Sequence, residues 1–178
     1  MQKLSMDSLN RKSVEEFKEI KKTPVIAVFE NVRSAYNVGS LFRTADAFLL
    51  EAVYLIGYTA VPPHKEIKKT ALGAEESVTW QHFDNSLNAI LDLRSKGYKI
   101  YAAEQVTESI SLEKLNLKSD EKVAVIFGNE VSGVEESTIQ NCDGCIEIPQ
   151  FGTKHSLNIA TAAGVLLWEI IRTRISVS

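Results

Sequence analysis

Short runs of consecutive apolar residues set the strongest limit on how this chain folds. Residues 25–29 and 52–56 contain no charged side chain and no alternation of polar with apolar positions. A strand with one face in water alternates, so both faces of these two segments must be covered. Strands of this kind are typical of a parallel sheet that has helices on both faces.

Helical periodicity alternates with further strand patterns along the rest of the chain. The predicted strands are 25–29, 52–56, 78–83, 98–103, 122–127 and 146–148, and the predicted helices are 37–49, 86–96, 135–140 and 156–173. Residues 14–20 form a polar amphipathic segment before the first strand. Strands separated by helices indicate the α/β class, with one parallel sheet covered on both faces. No linker divides the chain, which predicts one domain over residues 24–178 after a short extension over residues 1–23.

Turn and cap residues refine this outline. We expect Asp84 to cap the helix that begins at Ser86 and Gly97 to end it. Residues 58–77 have little periodicity and contain two prolines, which predicts a functional loop with a short helix.

Composition excludes several classes of protein. The chain has 178 residues, 44% of them hydrophobic, which is enough for a full core without disulfide or metal support. No run approaches a membrane span, and the polar start does not look like a signal peptide, so we expect a cytoplasmic protein with no membrane partner. Cys142 and Cys145 form a lone C-x-x-C, which is either a redox pair or, as we favour, two small buried residues in a reducing compartment.

Charge gives only local indications of a nucleic-acid partner. The net charge is −3, so a global basic field is absent. Basic side chains do cluster locally, in groups that are either solvated faces or parts of a cleft: Lys21 with Lys22, Arg33 with Arg43, His64 with Lys65, Lys68 and Lys69, and Arg172 with Arg174. The phosphate loop, the dinucleotide-binding glycines and the nucleophile elbow are all missing, and the scattered histidines do not suggest a metal site.

The last predicted helix, 156–173, has almost no polar face. A helix that is apolar all round must be covered all round. In so small a domain this favours a second subunit over a buried central helix, and we expect a homodimer.

Three polar segments follow predicted strands, at residues 30–44, 127–134 and 148–160. The carboxyl ends of parallel strands are where open α/β sheets collect ligands. Taken singly, each segment has a simpler structural explanation. Asn37 and Ser156 could be helix caps, Gly128 a turn former and Arg43 a surface ion-pair partner.

Together and in this order, the three segments resemble the motifs of the SpoU (TrmH-type) ribose 2′-O-methyltransferases of the SPOUT superfamily. The resemblance covers residues 24–168, and residues 69–75 resemble a further segment of these enzymes. It implies a parallel sheet whose C-terminal part forms a deep trefoil knot, a homodimer, and S-adenosylmethionine held in the knot. It also implies an RNA substrate, either tRNA or rRNA.

The resemblance assigns roles to individual residues. The cofactor pocket would use Ala103, Glu104, Gly128, Ile148 and Leu157. The catalytic positions would be Arg43, Asn37, Glu130, Ser156 and Asn158, with no metal.

The family account makes Arg43 the base. Because a neutral guanidinium is costly, we instead expect Arg43 to bind an RNA phosphate and to orient the 2′-hydroxyl. Exposed basic residues would bind RNA, namely Arg33, Lys65, Lys68 and Lys69.

Two other functions remain open on the sequence alone. One is a knotted RNA-binding protein without turnover, which the intact Arg43, Glu130 and Asn158 argue against. The other is a flavodoxin-like nucleotide-binding module, which the missing phosphate-binding signature argues against.

Overall fold

Seven parallel strands form one sheet, in a computed structural model that describes residues 12–154 and 156–175. The strands are β1 (Thr23–Glu30), β2 (Leu50–Ile56), β3 (Trp80–Phe83), β4 (Lys99–Ala103), β5 (Ile110–Ser111), β6 (Val123–Phe127) and β7 (Gly144–Glu147). The helices are α1 (Val14–Glu19), α2 (Ala35–Ala47), α3 (Lys65–Ala71), α4 (Ala74–Ser77), α5 (Ser86–Ser95), α6 (Glu136–Ile139) and α7 (Ile159–Arg172). The predicted α/β class and parallel sheet are confirmed.

The order of the strands is β3-β2-β1-β6-β4-β7-β5, so β1 and β6 lie side by side near the centre of the sheet. In their register Phe29 is opposite Phe127, and the two rings meet edge to face with centroids 5.9 Å apart. The polar residues that follow these two strands therefore leave the sheet at the same edge, next to each other.

Each face of the sheet has its own core, as the unbroken apolar strands require. One core packs residues of α1, α2, α3, α4 and α7 against the sheet, and the other packs residues of α5 and α6 against it. Alternate residues of β1 divide between them, with Val25, Ala27 and Phe29 in the first core and Ile26 and Val28 in the second.

The structure corrects several boundaries. Asn85, not Asp84, caps α5, because its side chain accepts the backbone N–H of Asn88 at 3.0 Å. The loop after β2 holds two short helices instead of one, α3 and α4. The two-residue strand β5 was missed, since so short an edge strand has no pattern of its own.

The last helix begins three residues later than predicted, at Ile159, with Asn158 as its cap. Ser156 and Leu157 consequently lie in the loop that precedes it. Gly97, as expected, follows the end of α5 with a φ of +80°. Of the expected extension over residues 1–23, residues 1–11 lie outside the described part of the chain.

Within the described ranges, every helix is too short or too polar to cross a bilayer.

Candidate active site

A cavity of about 530 Å³ opens at the carboxyl edge of the sheet. It is lined by residues 103–105, 127–133, 146–148, 150, 156–159, 162 and 166. These residues come from the ends of β4, β6 and β7 and from the start of α7. The five residues expected to bind the cofactor all line this cavity, and so do Glu130, Ser156 and Asn158.

The loop after β6 can take its shape only with glycine at two positions. A Cβ on Gly128 would lie 2.1 Å from the backbone nitrogen of Val134, and Gly133 has a φ of +70°. The two backbone hydrogen bonds between Asn129 and Gly133, both 2.9 Å long, close the loop on itself. Glycine therefore lets the loop fold back tightly and present its backbone to the cavity.

Glu104 holds this loop from the end of β4. Its carboxylate accepts the backbone N–H of Val134 at 3.0 Å and that of Gln105 at 3.0 Å. A Cβ on Gly133 would lie 2.1 Å from the same carboxylate. Glu104 is thus a support of the loop as well as part of the cavity wall.

Glu130 joins the β6 loop to the start of α2. Its carboxylate accepts the backbone N–H of Arg33 at 3.0 Å, the backbone N–H of Ser34 at 3.2 Å and the side-chain amide of Asn37 at 3.1 Å. Partial burial acts to raise the pKa of Glu130, but these hydrogen bonds outweigh it and the pKa lies below its ordinary value. The side chain is therefore an anionic clasp at neutral pH.

Asn37 links this clasp to the third polar segment. Its side-chain oxygen accepts the amide of Asn158 at 3.3 Å, while the oxygen of Asn158 caps α7 by accepting the N–H groups of Ala160 and Thr161. A hydrogen-bonded chain thus runs from Glu130 through Asn37 to Asn158. It joins the start of α2 to two segments that lie 93 and 121 residues further along the chain.

Neither Asn37 nor Ser156 is a helix cap, contrary to the simpler interpretation. Ser34 caps α2 by accepting the backbone N–H of Asn37 at 3.3 Å, and Asn158 caps α7. Asn37 and Ser156 are therefore available for other contacts.

Arg43 does not line the cavity. It is exposed on α2 and lies in a separate shallow depression of about 520 Å³ whose lining includes Lys69, Thr70, Phe48 and Gly164. The structure of the single chain thus places Arg43 apart from the other four expected catalytic residues.

The expected RNA-binding residues are all exposed. Lys65, Lys68 and Lys69 project from α3, with the Lys69 ammonium 5.8 Å from the centre of the Tyr36 ring. Arg33 lies at the start of α2, beside the clasp formed by Glu130. The lysines and Arg33 flank α2, the helix that carries Arg43.

Two buried polar residues at this edge were not among the expected site residues. Glu30 is fully buried and accepts hydrogen bonds from Ser86, from Thr138 and from the backbone of Glu135. Asn129 accepts the N–H groups of Val131 and Ser132 and donates to the carbonyl of Asn31. Each lies within two residues of the end of a predicted apolar strand, which was the available signal.

The two cysteines have the environment of buried structural residues. Cys145 lies in β7 and Cys142 donates a hydrogen bond to the carbonyl of Thr138, and both are free thiols. Burial raises the pKa of Cys142 to about 12 and also raises that of Cys145. A thiolate-based redox role is accordingly disfavoured.

The cavity suits the nucleoside cofactor that the resemblance implies. Its volume lies within the range of about 300–1,000 Å³ typical of small-molecule sites. Ile148, Leu157 and Leu166 provide apolar surface for a purine face, and the tightly folded loop at Gly128 brings backbone polar groups to its edge.

Comparisons with known proteins identify the family of the chain. The model of the SpoU rRNA methylase family matches residues 24–168. An uncharacterized tRNA/rRNA methyltransferase of Borreliella burgdorferi is 31% identical over 159 residues, which cover 89% of this chain and 68% of that protein. The 23S rRNA (guanosine-2′-O-)-methyltransferase RlmB of Haemophilus influenzae is 31% identical over 169 residues, which cover 94% of this chain and 67% of that protein.

Solved structures of RNA-modifying enzymes have a similar fold. The TrmH/SpoU tRNA modifying enzyme of A. aeolicus has a TM-score of 0.79 at 25% identity, covering 90% of this chain and 80% of that one. The AdoMet-bound rRNA methyltransferase of Sinorhizobium meliloti has a TM-score of 0.79 at 26% identity, covering 90% of this chain and 61% of that one. With a family model matched over most of its length, the chain belongs to the SpoU rRNA methylase family.

Proposed function

We propose that this chain transfers a methyl group from S-adenosylmethionine to a ribose 2′-hydroxyl of structured RNA, tRNA or rRNA. The observation that carries the proposal is the hydrogen-bonded chain from Glu130 through Asn37 to Asn158. It draws the three family motifs together at the rim of a cavity that fits the cofactor. Membership of the family and the names of the relatives, which include both rRNA and tRNA enzymes, support the same reaction.

The bound cofactor supplies a methyl group already activated by a sulfonium. The protein must then hold a ribose in line with that methyl group and stabilise the charge that develops on its oxygen. The Glu130 clasp fixes α2, and with it Arg43, relative to the cofactor loop. Because a neutral guanidinium is costly, we assign Arg43 to binding an RNA phosphate and polarising the 2′-hydroxyl, not to accepting the proton.

We infer that Ser156 and Asn158 form the ribose side of the site. Both line the cavity, and the amide of Asn158 is oriented by Asn37. Backbone groups at Gly128, Ile148 and Leu157, with the end of β4 at Ala103 and Glu104, would hold the cofactor. Arg33, Lys65, Lys68 and Lys69 would bind the RNA backbone.

We propose a homodimer built on α7. In the single chain the side chains of Val165 and Trp168 remain 41% and 47% exposed, which is unusual for large apolar residues of the most apolar helix. Trp168 packs against Phe48, which also lines the depression of Arg43. A partner covering α7 would therefore lie against that depression and complete the site around Arg43.

Two further features, the knot and the location in the cell, are proposals that rest on membership of the family. We propose that the C-terminal part of the catalytic domain, residues 24–178, is threaded as a trefoil knot. Support comes from the strand order, in which β6 and β7 flank β4, and from the return of α7 to pack against α2. A cytoplasmic location fits an enzyme that modifies tRNA or rRNA.

A transfer assay tests the proposed function. Bulk RNA from cells lacking this gene is incubated with the full chain and S-adenosylmethionine carrying a labelled methyl group. We expect the label to enter this RNA. RNA from complemented cells should take up much less label, because its target riboses are already methylated. Cofactor binding with no transfer to either RNA would favour the RNA-binding protein without turnover, and absence of cofactor binding would reject the whole assignment.

A further inference from the structure

The charged side chains that line the cofactor cavity all have the same sign. Glu104, Glu130 and Glu147 line it, and no lysine or arginine does so within residues 12–154 and 156–175. Lys154 belongs to the loop before α7 but not to the lining, and Arg33 meets Glu130 through its backbone N–H. The lining therefore carries three carboxylates.

These carboxylates have different structural roles. Glu104 holds the loop at Val134, and Glu130 holds the start of α2. Glu147 is the last residue of β7 and is only partly buried, and its carboxylate has no hydrogen-bond or ion-pair partner among the residues that the structure describes. Among the three carboxylates, that of Glu147 is therefore the one to which the described contacts give no structural role.

The proposed reaction changes the charge of the molecule in this cavity. The S–CH₃ bond breaks and its electron pair stays on sulfur, while an O–CH₃ bond forms and the hydroxyl proton is released. The sulfonium becomes a neutral thioether, so the reactant carries one more positive charge than the product. The negative charges of the cavity attract the sulfonium of the reactant, and they have no comparable attraction for the neutral thioether of the product.

We propose that the acidic lining, through Glu147 above all, makes this cavity prefer the sulfonium reactant over the thioether product. The inference rests on the proposed function and adds to it an explanation of how the product is released. S-adenosylmethionine can displace S-adenosylhomocysteine after each turnover because the field of the cavity favours the cation.

The opposing charges limit the size of the effect. The positive end of the α7 dipole lies at Ile159, in the same lining, and offsets part of the negative field. We therefore expect only about a fivefold change in affinity, which corresponds to about 1 kcal/mol. The change should shrink with added salt.

Calorimetry on the full chain tests the proposal with two ligands that are cationic at the reacting position and one that is neutral there. S-adenosylmethionine carries the sulfonium, sinefungin an amine-bearing carbon in its place, and S-adenosylhomocysteine the neutral thioether. The variant is Glu147→Gln, which keeps the size of the side chain and removes its charge. The matched control is Glu108→Gln, an exposed residue of the loop between β4 and β5 that does not line the cavity.

We expect Glu147→Gln to weaken both cationic ligands about fivefold and to leave S-adenosylhomocysteine within about twofold, with no change in the control. Equal weakening of all three ligands would make Glu147 an ordinary contact or structural residue and would overturn the proposal. No change for any ligand would overturn it as well. Failure of the unaltered protein to bind any of them would instead reject the proposed function.

Salt gives a second test that needs no variant. In the unaltered protein the ratio of the affinity for S-adenosylmethionine to that for S-adenosylhomocysteine should fall as ionic strength rises. A ratio independent of salt would contradict the proposal even if Glu147→Gln failed to fold.

Discussion

The Glu130 carboxylate holds the β6 loop against the start of α2. The N–H groups of Arg33 and Ser34 and the amide of Asn37 all donate to it and hold its pKa below the ordinary value. Its contribution to stability is therefore complete above the ordinary pKa of a glutamate and is lost as the pH falls through the lowered one. At neutral pH the carboxylate stays ionised and keeps the β6 loop on α2.

Arg43 is the residue whose removal should separate chemistry from binding. Arg43→Ala should reduce single-turnover methyl transfer by at least ~100-fold at saturating RNA, because one preorganised donor is worth about 2.7–4 kcal/mol in a transition state. Affinity for S-adenosylhomocysteine should be nearly unchanged, since Arg43 does not line the cavity. Arg43→Lys should restore little, because an ammonium lacks the planar fork.

The control for Arg43 is Arg94→Ala, which changes an exposed arginine of α5 outside both depressions. It should leave transfer unchanged. Near-normal turnover in Arg43→Ala would remove Arg43 from the mechanism, and lost cofactor binding would show that the assignment of the two sites is wrong.

At the scale of elements, the start of α7 depends on Asn158 for two separate tasks. Its oxygen caps the helix, and its amide donates to Asn37. Asn158→Ala should lose both, destabilising the protein by about 0.5–2 kcal/mol and reducing transfer. Asn158→Ser keeps a capping oxygen but is too short to reach Asn37, so it should keep the stability and lose activity.

Thermal unfolding and transfer rates of the two Asn158 variants are the measurements. If Asn158→Ser retained full activity, the link to Asn37 would have no role in the reaction.

Helix α3 should supply RNA affinity that depends on salt. Neutralising Lys65, Lys68 and Lys69 together to Gln should weaken RNA binding and flatten its dependence on salt, because fewer counterions are released. The matched control changes Lys21, Lys118 and Lys122, three exposed lysines that come shortly before β1 or β6 and so lie towards the opposite, amino edge of the sheet. Equal losses in the two triple variants would mean that α3 is only a solvated face.

For the whole molecule, we expect sedimentation at micromolar concentration to give twice the chain mass of 19.8 kDa. Trp168→Glu should yield monomers with reduced transfer, because the exposed part of α7 would no longer be covered. Leu91→Glu is the control, since Leu91 is 58% exposed on α5, away from α7. A monomeric unaltered protein, or a dimer insensitive to Trp168→Glu, would contradict the proposed interface.

The sequence could predict the buried strands and the edge of the sheet that holds the cavity, because both depend on the pattern of neighbouring residues. Unbroken apolar runs such as 25–29 indicated buried parallel strands, and the polar residues that follow them indicated the edge where the cavity lies. The caps Ser34 and Asn158 were misplaced, because several residues near each helix start could cap it and tertiary contacts decide among them. Glu147 is a single polar residue at the end of a strand, and the sequence alone does not show that it lines the cavity together with Glu104 and Glu130.

The position of the transferred methyl group tests the central claim most directly. RNA methylated by the full chain is digested to nucleosides, and the labelled product is identified by mass spectrometry. A methyl group on the ribose 2′-oxygen of one nucleotide is the result that the structure of the site predicts. A methyl group on a base, or RNA without any methyl group under conditions where the protein binds S-adenosylmethionine, would contradict the account.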